Sequence, residues 1–179
     1  MKRIAIVVGH SVWSKGAYNE NLNLHEFYLN DVLAKEIKNA LSLNDDFTPY
    51  LVYRKNGYAK LPNDINHTSP DIIISVHHNS SANKNVQGTE TLYYHKSTNG
   101  KDLATLVQNK MLEVLEFRDR GIKAVDSEDR GGYVLRYTNA PMILIEPYFM
   151  SDDDGVAKGT KLNTELAMAI REGIEEYLK

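Results

Sequence analysis

The chain contains no cysteine. That absence excludes a disulfide framework, thiol catalysis and every thiolate metal site, so any metal has to sit on His, Asp or Glu. No apolar run approaches the roughly 18 residues that a membrane span needs, so no membrane insertion is expected. The start, Met1-Lys2-Arg3 followed by Ile4-Ala5-Ile6-Val7-Val8, has the opening of a signal peptide. Its apolar run stops at Gly9-His10 without a cleavage site. It reads as a first strand, and synthesis in the cytoplasm is expected. The formal net charge of -3, on a chain with 25% charged residues, gives no electrostatic reason to expect nucleic acid or an anionic surface as partner. No repeat, low-complexity tract or Pro/Gly/Ser-rich linker divides the 179 residues, so residues 1–179 are expected to form one domain.

Strand-like runs alternate with helical periodicity along the chain. Strands are expected at Arg3 to Gly9, Pro49 to Tyr53, Asp71 to Val76, Thr89 to Tyr94 and Pro141 to Glu146. A first helix spans Glu26 to Leu43, with Leu29, Val32, Leu33, Ile37, Ala40 and Leu41 on one stripe. Leu103, Leu106, Val107, Met111, Val114 and Leu115 mark a second helix, and Leu162, Leu166, Ile170, Ile174 and Leu178 a C-terminal one. This order implies an α/β fold, a twisted, mostly parallel, mixed sheet with helices on both faces. The irregular segments at Ser11 to Asn23, Asn79 to Gly88 and Ser127 to Gly132 are candidate site walls.

Three of the apolar strands end in groups that can bind or activate a metal: IAIVVGH at His10, IIISVHH at His77 and His78, and MILIE at Glu146. In parallel α/β sheets the carboxyl ends of the strands line the ligand crevice, so these residues can converge there. Catalytic zinc takes three protein ligands and leaves one position open. Glu26, at the start of the first helix, is the leading third ligand, and Glu20, inside the preceding loop, competes with it. Glu26 also suits the third position of a capping box begun by Asn23. A carboxylate that ends a buried run, as Glu146 does, is costly to desolvate unless it is paired, hydrogen-bonded or near a cation.

At these same positions the sequence resembles the zinc-dependent N-acetylmuramoyl-L-alanine amidases, the class shared by bacterial autolysins and phage endolysins. The matching pieces are VVGH at 7–10, the Glu in HEFYLND, SVHHNSS at 75–81, GTETLYY at 88–94, FRDRGIK at 117–123, VLR at 134–136 and APMILIEPYFMSD at 140–152. The resemblance implies that His10, Glu26 and His77 bind one zinc ion and that Glu146 is the catalytic carboxylate. Its implied substrate is bacterial peptidoglycan, cut at the amide between the lactyl group of N-acetylmuramic acid and L-alanine. The motif selects His77 over His78, which stands where the family has a small residue and is left without a role. Ser11-Val12-Trp13-Ser14-Lys15 replaces the family's glycine- and aspartate-rich run, so substrate contacts in that loop are not carried over.

Asn79, Arg136 and Tyr148 are further candidates for substrate contact. Tyr93, Tyr94, Tyr133, Tyr137 and Tyr148 could hold sugar or peptide, but aromatics on strands also pack cores. Arg130 and Arg136 could meet stem-peptide carboxylates or remain solvated surface charges. Two other functions fit part of the pattern: a zinc peptidase or carboxypeptidase acting on stem peptides, and a non-catalytic wall-binding module on the same fold. No separate wall-binding domain is expected in the chain. Among lytic enzymes of this class, a chain lacking a signal peptide implies export through a holin-type pore.

Overall fold

Side chains along a strand alternate between its two faces, so a strand buried on both sides needs apolar residues at every position. A computed structural model describes residues Met1–Lys179. Its strands are β1 (Lys2–Val8), β2 (Tyr18–Asn19), β3 (Leu24–His25), β4 (Phe47–Tyr53), β5 (Ile72–Val76), β6 (Thr89–Tyr94), β7 (Asp119–Val125) and β8 (Met142–Glu146). The helices are α1 (Glu26–Leu41), α2 (Leu61–Asn66), α3 (Thr98–Leu115), α4 (Gly132–Tyr137), α5 (Asp153–Lys161) and α6 (Asn163–Tyr177). β1 turns Ile4, Ile6 and Val8 toward α1, α3 and α6, where Leu33, Ile37, Val107 and Ile170 meet them. Its alternate residues Ala5 and Val7 face Leu61 and Ile65 of α2 and Val134 and Leu135 of α4.

Six strands form one sheet in the order β4-β1-β5-β8-β6-β7. The first four are mutually parallel, β6 runs antiparallel to β8, and β7 is parallel to β6. The fold is therefore α/β, a single domain with a mostly parallel mixed sheet between two helical layers. The chain leaves β1 for β4 on one side and reaches β5 on the other, so strand order reverses at the β1–β5 pair. A crevice opens at the carboxyl ends there. Both His10 and His77 follow directly from those ends.

Local chemistry moves several boundaries. Helix α1 stops at Leu41 because Ser42 turns its Oγ back to the Lys38 carbonyl, 2.8 Å away. Val32, expected on the core stripe, is exposed, and Ala34 takes its place beside Leu33. β4 begins earlier than Pro49, which is tolerated because β4 is an edge strand and one missing donor is not fatal there. The opposite edge, β7, has no counterpart among the expected strands. Its half-exposed Asp119-Arg120-Gly121-Ile122-Lys123 carries too little apolar alternation.

Candidate active site

Glu26 opens α1 and is 1% exposed, with two imidazoles against its carboxylate. His10 Nε2 lies 2.9 Å from Glu26 Oε2, and His77 Nδ1 lies 3.0 Å from Glu26 Oε1. One donor atom from each of the three residues falls within 4.8 Å of the others. Glu20, by contrast, is exposed on the turn between β2 and β3, outside this group. Asn23 does not cap α1 either, since His25 occupies that position without a side-chain bond.

Two glycines make the convergence sterically possible. A Cβ on Gly9 would stand 2.6 Å from the His77 ring, and one on Gly16 would stand 2.7 Å from both Glu26 Oε2 and His10 Nε2. Gly16 also holds φ +78, the left-handed region that glycine enters without penalty. His10 itself has φ 66. Such a conformation in a non-glycine residue costs energy and recurs at ligand clamps, and here it turns the imidazole back toward Glu26.

Behind the carboxylate lies a buried support. The His78 N–H donates to Glu26 Oε1 at 3.3 Å, the Ala17 N–H donates to Oε2 at 3.3 Å, and Asn30 Nδ2 donates to the Gly9 carbonyl at 3.1 Å. Asn30 Oδ1 can only accept, so His78 Nδ1, 2.7 Å away, must carry the proton. Burial pushes the His78 imidazole down to about 3, leaving it neutral, and its ring packs on Tyr148 at 4.4 Å between centroids. His78 thus belongs to the layer that orients Glu26.

The electrostatics suit a cation. Burial pushes the Glu26 carboxyl up, but hydrogen bonds and charge from His10 and His77 outweigh it and hold the group well below the usual carboxylate range. Burial lowers His77 against the raising pull of Glu26, which favours the neutral imidazole that ligates metals. Two imidazoles and an ionised, dehydrated carboxylate form a donor set that fits zinc with one position left open. His10, Glu26 and His77 are the residues that could hold it.

Glu146 ends β8 next to this group: the His77 N–H donates to the Ile145 carbonyl at 3.0 Å across the neighbouring strand. The residue is 2% exposed, and its carboxylate meets Arg130 Nη2 at 3.2 Å. Burial raises its pKa, Arg130 opposes the shift, and Glu90 and Glu26 reinforce it. A carboxyl held high is suited to accept and return a proton near neutral pH.

The expected substrate contacts fare differently. Asn79 is buried with both ends of its amide committed, Nδ2 donating to Glu90 Oε1 at 2.7 Å and Oδ1 accepting from Arg130 Nη1 at 3.2 Å. It holds Arg130 in place. Tyr148 is 1% exposed within a cluster of Leu29, Met150 and Val156, so its ring packs the core. Arg136 lies exposed on α4, its guanidinium over the Tyr137 and Tyr94 rings, and it is not among the residues that line the cleft. The cations at the cleft are Arg54 and Arg130, set over an apolar floor that includes Val7, Leu61, Val134 and Leu144 in a cavity of about 270 Å³. Arg54, in the loop after β4, Glu90 on β6 and Asn30 on α1 carry no mark in the sequence, because only the fold shows which way each is turned.

A family model described as N-acetylmuramoyl-L-alanine amidase matches residues 4–176. The amidase LytC of Bacillus subtilis is 27% identical over 98% of this chain, which spans only 35% of that protein's length. An N-acetylmuramoyl-L-alanine amidase structure from Clostridium difficile 630 is 32% identical with a TM-score of 0.89, covering 99% of this chain and 96% of that one. The catalytic domain of the CD27L endolysin targeting Clostridia difficile is 25% identical with a TM-score of 0.83, covering 98% of each chain. The match along nearly the whole chain and the fold shared with these enzymes place the protein in the N-acetylmuramoyl-L-alanine amidase family.

Proposed function

We propose that the chain hydrolyses the amide joining the lactyl group of N-acetylmuramic acid to L-alanine in bacterial peptidoglycan, in wall lysis or remodelling. His10, Glu26 and His77 hold one zinc ion, and Glu146 carries the proton. The observation that carries this reading is a metal-competent group beside a buried carboxyl of raised pKa at one sheet edge. Bound zinc would polarise the amide carbonyl and acidify water.

The chain's own residues account for the rest. Glu146 accepts a proton from the attacking water and delivers it to the alanine nitrogen as the C–N bond breaks, leaving a lactyl carboxylate and a free amine. Arg130 steadies the ionised form of Glu146, and Asn79 fixes Arg130. The apolar walls of the cleft exclude water that would compete for these groups.

The test is digestion of purified peptidoglycan with identification of the new ends, alongside metal analysis of the same sample. Expected are a lactyl carboxylate and a new N-terminal alanine, with about one zinc per chain on the pattern of a three-ligand catalytic site. Cuts within the stem peptide would make the protein a peptidase. Binding without cleavage would make it a wall-binding module.

A further inference from the structure

Two cavities meet at His10. One is the cleft that also holds His77, Arg54 and Arg130. The other, about 300 Å³, shares only His10 and Arg54 with it and is walled by Val12, Trp13, Phe27 and Tyr53. Between His10 and Gly16 the chain reverses tightly. Ser11 N–H donates to the Ser14 carbonyl at 3.0 Å, Ser14 N–H donates back to the Ser11 carbonyl at 3.1 Å, and Ser11 Oγ takes a further bond at 3.2 Å. Arg54 Nη2 reaches the Ser14 carbonyl at 3.4 Å, tying the turn to the rim of the site. Trp13 stands at its tip, 94% exposed.

A bare indole next to a metal-competent group is a large apolar face left in water. On the amidase reading, on which this step rests, the scissile amide has a sugar on one side and a peptide on the other. Those two halves must lie in different directions from the metal group. The cleft with two guanidiniums suits a peptide bearing carboxylates, which Arg binds in bidentate fashion. Neither cavity has a carboxylate among its walls, and the second also carries two cations, Arg54 and Lys55; what sets it apart is the exposed indole plane of Trp13. A hexosamine ring presents a face of C–H groups and a rim of hydroxyls, so it can stack on an indole while its rim stays hydrated. We propose that Trp13 is the platform on which an N-acetylhexosamine ring of the glycan strand stacks, fixing the direction in which substrate crosses the site.

Trp13 is the sole tryptophan of the chain, so its fluorescence reports on itself alone. Zinc-supplemented protein carrying Glu146→Gln, to suppress turnover, is titrated with glycan strands stripped of peptide and, separately, with free stem peptide. Glycan should give a saturable blue shift and peptide none. With Glu146 intact, Trp13→Ala should raise KM for glycan-linked stem peptide about tenfold, as loss of one aromatic stacking contact of about 1.4 kcal/mol implies. The same variant should alter kcat by less than about twofold. Trp13→Phe should restore most of the affinity, and Trp13→Ala should melt with the parent because the side chain buries almost nothing. A flat fluorescence response to glycan, a response to peptide instead, or an unchanged KM overturns the proposal. If the unsubstituted protein fails to cleave the lactyl-alanine amide, the amidase reading falls, and the glycan titration still decides the role of Trp13.

Discussion

Glu90 and Glu146 stand opposite one another in the antiparallel β6–β8 ladder, so their side chains emerge on the same face of the sheet at the crevice. Each has its own guanidinium, Arg120 Nε at 2.6 Å from Glu90 and Arg130 Nη2 at 3.2 Å from Glu146, and Asn79 joins the two halves. Two carboxyls placed so close resist ionising together, which raises one of them. Here Glu146 is raised, first by burial and then by Glu90, while Arg130 pulls the other way.

The signs of two variants follow. If Glu146 works as a base, activity requires its ionised form and is lost as pH falls through its pKa. Glu90→Gln removes a raising influence, so the acid limb of kcat/KM should move to lower pH. Arg130→Met removes the lowering one, so that limb should move to higher pH. Both profiles are measured on peptidoglycan fragments with zinc in excess. Identical limbs in both variants would remove this pair from control of Glu146.

Why Glu90 went unread is a matter of strand direction. β1, β5 and β8 announce their carboxyl ends because both faces are buried, leaving unbroken apolar runs that stop at His10, His77 and Glu146. GTETLYY looks like one more such strand. Only the assembled sheet shows that β6 runs the other way and brings its amino end, with Glu90, to the same edge. Arg54 was invisible, and Arg130 could not be told apart from Arg136, for a related reason: surface charges look alike in sequence until the fold points some of them into a cleft. Tyr148 misleads in the opposite sense, since an aromatic just past a site residue suggests substrate contact while its ring is enclosed beneath His78.

Gly16 should be as sensitive as a ligand. Alanine there would place a methyl 2.7 Å from Glu26 Oε2 and His10 Nε2 while holding φ +78, so the imidazole or the loop must move. Zinc affinity of Gly16→Ala should fall about tenfold or more, the range seen when groups supporting a metal's ligands are disturbed. Competition against a chelator of known affinity measures it. An affinity equal to the parent's would show that the loop adjusts freely.

Removing donor atoms separates the two carboxylates considered for the metal. Glu26→Ala, His10→Ala and His77→Ala should each lose bound zinc on dialysis, and Glu20→Ala should retain it, because only the first three side chains converge. Treatment with a strong chelator should abolish hydrolysis and added zinc restore it. Full zinc in Glu26→Ala with loss in Glu20→Ala would reverse the assignment.

Glu146→Gln separates proton transfer from metal binding and from folding. Glutamine keeps the size of the side chain and a hydrogen-bonding oxygen toward Arg130, but it cannot accept a proton, so turnover should fall by roughly 10²–10⁴-fold, the usual worth of a general acid/base. Zinc content should stay at the parent's level, since Glu146 lies outside the ligand group. Stability gives an independent check in metal-free protein. The folded-state pKa of Glu146 is raised, so the folded chain holds its proton more tightly, and stability drains away as pH climbs from the unfolded value through the folded one. Glutamine has no proton to lose and escapes that penalty. Its melting temperature should match the parent's near pH 4 and gain on it progressively up to pH 8. Near-normal turnover would take Glu146 out of the mechanism, loss of zinc would make it a ligand, and a variant that loses stability relative to the parent as pH rises would contradict the buried, raised carboxyl on which its role depends.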